Sequence, residues 1–185
     1  ADLQGLNMRI AGLGGMAMAR LGANTQLVPA GEIFLSLETG RIDAAEFSAP
    51  QLDVNFGFQR VTQYYYFPGW HQPSSWDSII INMDVWNSFD ARTQSIMTEA
   101  CQANIAYNLG DQINSQAAAI AQIREAGTDV RRFPDEVLLA LREASEAVLD
   151  EQAAQDPIFA EALASLRAYM DSVGEWSALQ ALPAR

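Results

Sequence analysis

Gly31-Glu32-Ile33-Phe34-Leu35-Ser36-Leu37-Glu38-Thr39-Gly40-Arg41-Ile42-Asp43-Ala44-Ala45-Glu46-Phe47-Ser48-Ala49-Pro50 is the stretch on which the fold turns. Its first half predicts a short amphipathic helix, with Ile33, Phe34 and Leu37 at i, i+1 and i+4 on one face. Gly40 is the expected left-handed stop, because glycine takes that conformation without a Cβ penalty. Ile42 to Phe47 then reads as a short strand that delivers a carboxylate, Glu46, to its C-terminal end. In open α/β sheets that edge is where ligands bind.

The same rhythm extends outward. Upstream, Asn7 to Ile10 reads as a strand and Gly12-Leu13-Gly14-Gly15 as a tight turn. Met16 to Leu21 reads as a helix ended by Gly22, and Gln26 to Val28 as a second strand closed by Pro29. This β-α-β-α-β order predicts a parallel or mixed sheet with helical cover. Downstream, Gln51 to Phe58 reads as a helix broken near Asn55 and Gly57, and Val61 to Phe67 as an extended segment. It leads into Tyr64-Tyr65-Tyr66-Phe67-Pro68-Gly69-Trp70-His71-Gln72-Pro73, a dense aromatic cluster with a polar pair. Trp76 to Asn82 contains three isoleucines in a row, Ile79 to Ile81, and predicts a strand buried on both faces.

From Ser88 the character turns helical. Ser88 or Asp90 caps a pattern running to Glu125, with a stop at Gly127 and a bend expected at Gly110. Ile96, Ala100, Ala103 and Tyr107, then Ile113, Ala117, Ile120 and Ile123, trace its apolar stripe. Thr128 to Phe133 is strand-like. Pro134-Asp135-Glu136 opens another helix to about Gln155, with acidic residues suited to its first turn. Pro157 starts a last helix to about Leu182, striped by Phe159, Leu163, Leu166, Met170 and Val173. The composition shift divides the chain into an α/β portion, 1–87, and a helical portion, 88–185, whose long helix covers about 90–126.

Composition excludes several function classes. At 185 residues and 49% hydrophobic, the chain can bury a core as one domain or two small lobes. Net charge is −12, and all eleven basic residues are arginine. An acidic chain with no basic stripe does not bind nucleic acid or anionic membrane surfaces. It can still bind a small anion, since one buried Arg dominates its own surroundings. The single Cys, Cys101, sits in a helical pattern and reads as a small core residue. No apolar run reaches transmembrane length.

Four groups of residues bear on chemistry. Arg9 ends a strand before a glycine-rich turn, where a guanidinium forks onto a carboxylate through two charge-assisted hydrogen bonds; a structural ion pair is the plainer alternative. Glu46 lies in an otherwise apolar segment, so its charge must be solvated, paired or bound to a cation. Trp70, His71 and the Tyr64 to Tyr66 run can line a pocket, although two of the three tyrosines are expected in the core. His71 has no Ser, Cys or Asp at triad spacing, which argues against a catalytic base. Gly12-x-Gly14-Gly15 lacks the dinucleotide spacing, and a Walker lysine is impossible in a chain without lysine. Those glycines read as room for a close backbone approach. Asp129, Arg131 and Arg132 read as a solvated strand edge.

The two stretches, with Gly5-Leu6-Asn7-Met8-Arg9-Ile10 and Gly12-Leu13-Gly14-Gly15, resemble the TRAP-transporter extracytoplasmic solute receptors of the DctP type. The likeness is to the subgroup that holds 2-oxo or 2-hydroxy monocarboxylates and is most specific over residues 3 to 82. It implies a type II periplasmic binding protein-like α/β lobe followed by long helices, making part of a clamshell. It further implies a C-terminal portion of a larger periplasmic protein that binds rather than catalyses. Arg9 is then the clamp on the ligand carboxylate, and Glu46, Phe47, Trp70, His71 and Gln72 join it in holding the ligand. Glu46, the Phe47 carbonyl and Gln72 match metal-ligand positions. Phe47 stands where the subgroup usually has Trp, which leaves the carbonyl unchanged. Gln72 stands where a second carboxylate is common, which weakens the case for Ca²⁺ and keeps Na⁺ open.

The partners implied are a small organic acid anion and the TRAP membrane subunits. The 185 residues alone are expected to bind the acid poorly and to self-associate. Two other readings stand beside this one. A small α/β enzyme would use the glycine turn for a phosphorylated substrate, and a helical interaction module would use the second portion as its surface.

Overall fold

The computed structural model describes residues 3–72 and 77–180. Strands β1 (Asn7–Arg9), β2 (Asn24–Gln26) and β3 (Ala44–Ala45) alternate with helices α1 (Gly12–Arg20) and α2 (Ala30–Glu38). There follow α3 (Pro50–Asn55), a 3-10 turn at Phe58–Arg60, and β4 (Tyr64–Phe67). The remainder is α4 (Met83–Ser88), α5 (Ala91–Glu125), β5 (Asp129–Arg132), α6 (Asp135–Gln155) and α7 (Pro157–Gln180). The chain divides into two compact units, one of residues 1–27 with 134–185 and one of residues 28–133. Ser88, where the composition changes, lies inside the second unit at the end of α4. No helix among the described residues is long and apolar enough to cross a membrane.

In the first unit β1 and β2 pair in parallel, with Arg9 opposite Gln26, and the Ile10 N–H extends the ladder to the Gln26 carbonyl at 3.2 Å. The glycines that read as a turn instead open α1. Gly15 is there because of space: a Cβ at this position would stand 3.3 Å from the Ile10 carbonyl oxygen. Helix α1 packs on α6, burying Ala17 and Met18 on one side and Leu141, Ala144 and Val148 on the other. Asp156 caps α7 by accepting the Ile158 N–H at 2.8 Å. Of the stripe expected on α7, Leu163 is buried, while Leu166 and Met170 are exposed.

The second unit is built around Val28, Ile33, Ile42 and Phe58, with Phe34, Leu37, Ala45, Phe47 and Phe56 packed against them. The face expected on α2 is therefore the buried one. Gly40 takes the predicted left-handed turn at φ 71°, and the Ile42 N–H returns to the Ser36 carbonyl at 3.1 Å. Pairing in β3 covers only two residues, so Glu46 follows the strand directly. Strands β4 and β5 pair in parallel from Tyr64–Asp129 to Phe67–Arg132. The buried Thr128 hydroxyl lies 3.0 Å from the Gln59 carbonyl and 3.1 Å from that of Thr62, tying β5 to the 3-10 turn.

Several expectations are corrected. Residues 77–82 form no strand, and Ile79 and Ile80 are 72% and 94% exposed, because an apolar run becomes a strand only where another strand pairs with it. Trp76, where that reading began, Pro73 and Leu182 lie outside the described residues. Helix α5 runs through Gly110 as one element, and of its expected stripe only Ile123 is buried, while Ala119 beside it is buried too. Ile96, Tyr107 and Ile113 are exposed, and so is Cys101, which is not a core residue. Helix α4, which the sequence pattern does not announce, is capped by the Asn82 side chain, which accepts the Asp84 and Val85 N–H groups.

Ile33 has no exposed surface, whereas Leu35, one turn edge away on α2, is 59% exposed. Ile33→Ala is expected to cost about 3 kcal/mol in urea unfolding, and Leu35→Ala less than about 0.5 kcal/mol. Equal losses at the two positions would contradict this core.

Candidate functional site

The end of β3 and the start of α3 form a corner that the sequence organises by its apolar neighbours. Ala45 and Phe47 face the core, and between them Glu46 keeps 26% of its side chain exposed. The Phe47 ring is clamped edge-on between Phe56 at 5.0 Å and Phe58 at 5.6 Å, so its side chain belongs to the core. Glu46 Oε1 lies 3.9 Å from His71 Nε2, which is beyond a hydrogen bond and an ion pair only with the imidazole protonated. The His71 ring leans on Trp70 at 4.8 Å between centroids. His71 Nδ1 is buried and makes no hydrogen bond among the described residues.

Behind this corner is a pair that sequence reasoning missed. Asp53, in α3 and only 6% exposed, accepts the Tyr65 hydroxyl at Oδ2 at 2.6 Å. Burial pushes its pKa up to about 6, opposed by the Tyr65 hydroxyl and the Ser48 backbone N–H and reinforced by the charge of Glu46. Burial and the Asp53 charge likewise hold the Tyr65 phenol above its usual range. Tyr65 is the one member of its run that turns inward. Tyr64 and Tyr66 are 49% and 40% exposed, so the expectation of two core tyrosines is corrected to one. Strand alternation explains it, since successive side chains leave opposite faces of β4. Tyr64 carries the Arg131 guanidinium at 4.4 Å, and Tyr66 stacks on Phe133 at 4.8 Å. Arg131 also pairs with Asp129 at 2.6 Å, as a solvated strand edge would.

Of the expected site residues, Glu46, Phe47, Trp70 and His71 are placed on one connected set of contacts within the second unit. Gln72, also in that unit, is exposed. Arg9 is buried at the end of β1 in the first unit. Glu46, the Phe47 carbonyl and the Gln72 amide are all oxygen donors and fit a hard cation by type. One carboxylate leaves half of a divalent charge uncompensated, so an anionic ligand would have to share it. No group of three or more His, Cys, Asp or Glu side chains suited to a metal occurs among the described residues.

Comparison with known proteins gives one consistent picture. The family described as bacterial extracellular solute-binding protein, family 7, matches residues 1–156. A monocarboxylate 2-oxoacid-binding periplasmic protein from Nostoc sp. is 34% identical over 184 residues, covering 98% of this chain and 50% of its own length. A TRAP periplasmic solute-binding protein from Colwellia psychrerythraea, solved with calcium and pyruvate, superposes with a TM-score of 0.84 at 34% identity. That match covers 97% of this chain and 55% of the other. A third relative, from Pseudoalteromonas atlantica with sodium and pyruvate, gives 0.84 at 30% identity over 97% and 55%. The chain spans about half the length of the relatives it matches.

A carboxyl whose pKa is higher folded than unfolded loses stability on ionising, so the cost is full above about pH 6 and fades toward pH 4. Asp53→Asn should therefore stabilise the protein by about 2 kcal/mol near pH 8, with the gain shrinking as acidity increases. Thermal unfolding of both forms across that range checks this. A gain that grows in acid would contradict the assigned burial.

Proposed function

Because the chain belongs to the bacterial extracellular solute-binding protein family 7, we propose that it serves in the periplasmic receptor of a TRAP transporter, capturing a small monocarboxylate of the 2-oxo acid type. The observation that carries the reading is the Glu46–Phe47 corner. An acid held at an apolar strand end, beside a residue anchored through its partly buried ring, is a polar spot prepared for a charged ligand.

The roles follow from chemistry. Arg9 supplies the bidentate, permanently charged partner for the ligand carboxylate. Trp70 and His71 give an aromatic wall, and the buried Nδ1 of His71 offers one directional hydrogen bond. Glu46, the Phe47 carbonyl and Gln72 hold the polar end together with a cation, Na⁺ or Ca²⁺. A bound cation would compensate the Glu46 charge and so allow a second anion beside it. The relatives solved with pyruvate contain calcium in one case and sodium in another, which supports a site tolerant of either. No bond is made or broken; TRAP membrane subunits receive the ligand after the receptor closes on it. Exposed apolar residues on α5 and α7, among them Ile105, Leu109, Ile158 and Trp176, support self-association of the 185 residues on their own.

Isothermal titration of the full-length protein with pyruvate, in Ca²⁺ or Na⁺, should give saturable heat, and Arg9→Ala should weaken it at least about tenfold. Heat that appears only with phosphate esters, or Arg9→Ala binding like the parent, would overturn the assignment.

A further inference from the structure

Two contacts join the same two segments of the second unit. His71 Nε2 stands 3.9 Å from Glu46 Oε1, and the Tyr65 hydroxyl lies 2.6 Å from Asp53 Oδ2. Sequence order is reversed between them: Glu46 precedes Asp53, whereas Tyr65 precedes His71. The segments thus meet once at the ligand corner and once behind it. Of the two contacts only the rear one is a hydrogen bond, since 3.9 Å is beyond hydrogen-bond reach. Each segment is also anchored at its rear end. On one, Pro50 opens α3 and Asp53 lies in its first turn. On the other, β4 is paired with β5, and the Phe133 N–H closes on the Phe67 carbonyl at 2.7 Å. From there only Pro68, Gly69 and Trp70 intervene before His71.

Asp53 is destabilising where it sits. It is 6% exposed, burial opposes its charge, and its Oδ1 makes no hydrogen bond among the described residues. What the carboxylate provides is a short, strong bond. An ionised acceptor holds a hydroxyl at about 2.5–2.7 Å, roughly twice as firmly as a neutral one, and the Tyr65 distance falls in that range. We propose that the Tyr65–Asp53 hydrogen bond is a clasp behind the ligand corner, and that Tyr65 and Asp53 are positioning residues that set Trp70 and His71 against Glu46. This rests on the receptor reading above and adds two residues to its site, acting through those assigned to the ligand. A corner with few polar groups depends on such support, because small displacements of its members weaken every contact they make.

A buried hydrogen bond can also merely stabilise its unit, and Thr128 supplies the control. Its buried hydroxyl ties β5 to the Gln59 and Thr62 carbonyls, which lie outside both segments. In the full-length protein, wild type, Tyr65→Phe, Asp53→Asn and Thr128→Val are titrated with pyruvate in Ca²⁺. The backbone amide peaks of Trp70 and His71 are followed by NMR without ligand. Tyr65→Phe should weaken pyruvate binding at least about fivefold and displace both peaks. The asparagine oxygen still accepts the hydroxyl, so Asp53→Asn should bind within about threefold of wild type. Thr128→Val should lower stability yet leave affinity and both peaks as in wild type. Tyr65→Phe binding like wild type, Asp53→Asn binding as weakly as Tyr65→Phe, or Thr128→Val matching Tyr65→Phe in both readouts would overturn the proposal. If Tyr65→Phe does not fold, Asp53→Leu breaks the same bond from the other side and is judged by the same two measurements. If wild type binds no pyruvate, the receptor reading fails, and the Trp70 and His71 peaks still decide the clasp: unmoved peaks in Tyr65→Phe refute it.

Discussion

The hydrogen bond between the Tyr65 hydroxyl and Asp53 is the contact on which the second unit's polar corner depends. It joins two segments of different character. On one side are β3 and α3, packed through Phe47 and Phe56 onto the apolar cluster around Ile33 and Phe58. On the other is β4, whose partner β5 is tied back by the buried Thr128 hydroxyl. A half-buried phenol and a buried carboxylate satisfy each other at 2.6 Å, and that lets the chain keep a charge where water is scarce. The corner is therefore apolar in its support and polar where Glu46 and His71 meet. A site for a small anion needs this division, since a rigid dry wall makes each of its few polar contacts count.

The distribution of charge points the same way. With 23 acidic residues against 11 arginines, the surface repels anions as a whole. Arg20 pairs with Glu151, Arg131 with Asp129, and Arg167 with Asp150, all with roughly half their side chains in water. Such pairs contribute little to stability and attract no ligand. Arg9 differs in being buried, and a buried guanidinium acts at full strength on what it meets.

What the sequence disclosed follows from local physics. Gly40 and Gly127 announced their turns because each adopts a positive φ, and the α2 face was readable because Ile33, Phe34 and Leu37 repeat at helical spacing. Glu46 stood out as a charge in an apolar run. Periodicity states which face of an element is apolar but not what covers it, so Ile113 and Tyr107 on α5 and Ile79 and Ile80 were expected inside and are exposed. The parity of a short strand decides which tyrosine turns inward, and no residue in the run fixes that parity. Asp53 could not be found by spacing, since its partner is twelve residues away across a turn and a strand. A carboxylate in the middle of Pro50–Asn55, between Leu52 and Val54, was the available signal.

The most direct measurement is a crystal structure of the full-length protein grown with pyruvate and Ca²⁺. The cation should lie within about 2.3–2.6 Å of the Glu46 carboxylate and the Phe47 carbonyl oxygen. Pyruvate bound with Glu46 and the Phe47 carbonyl both in open solvent, away from cation and ligand, would contradict it.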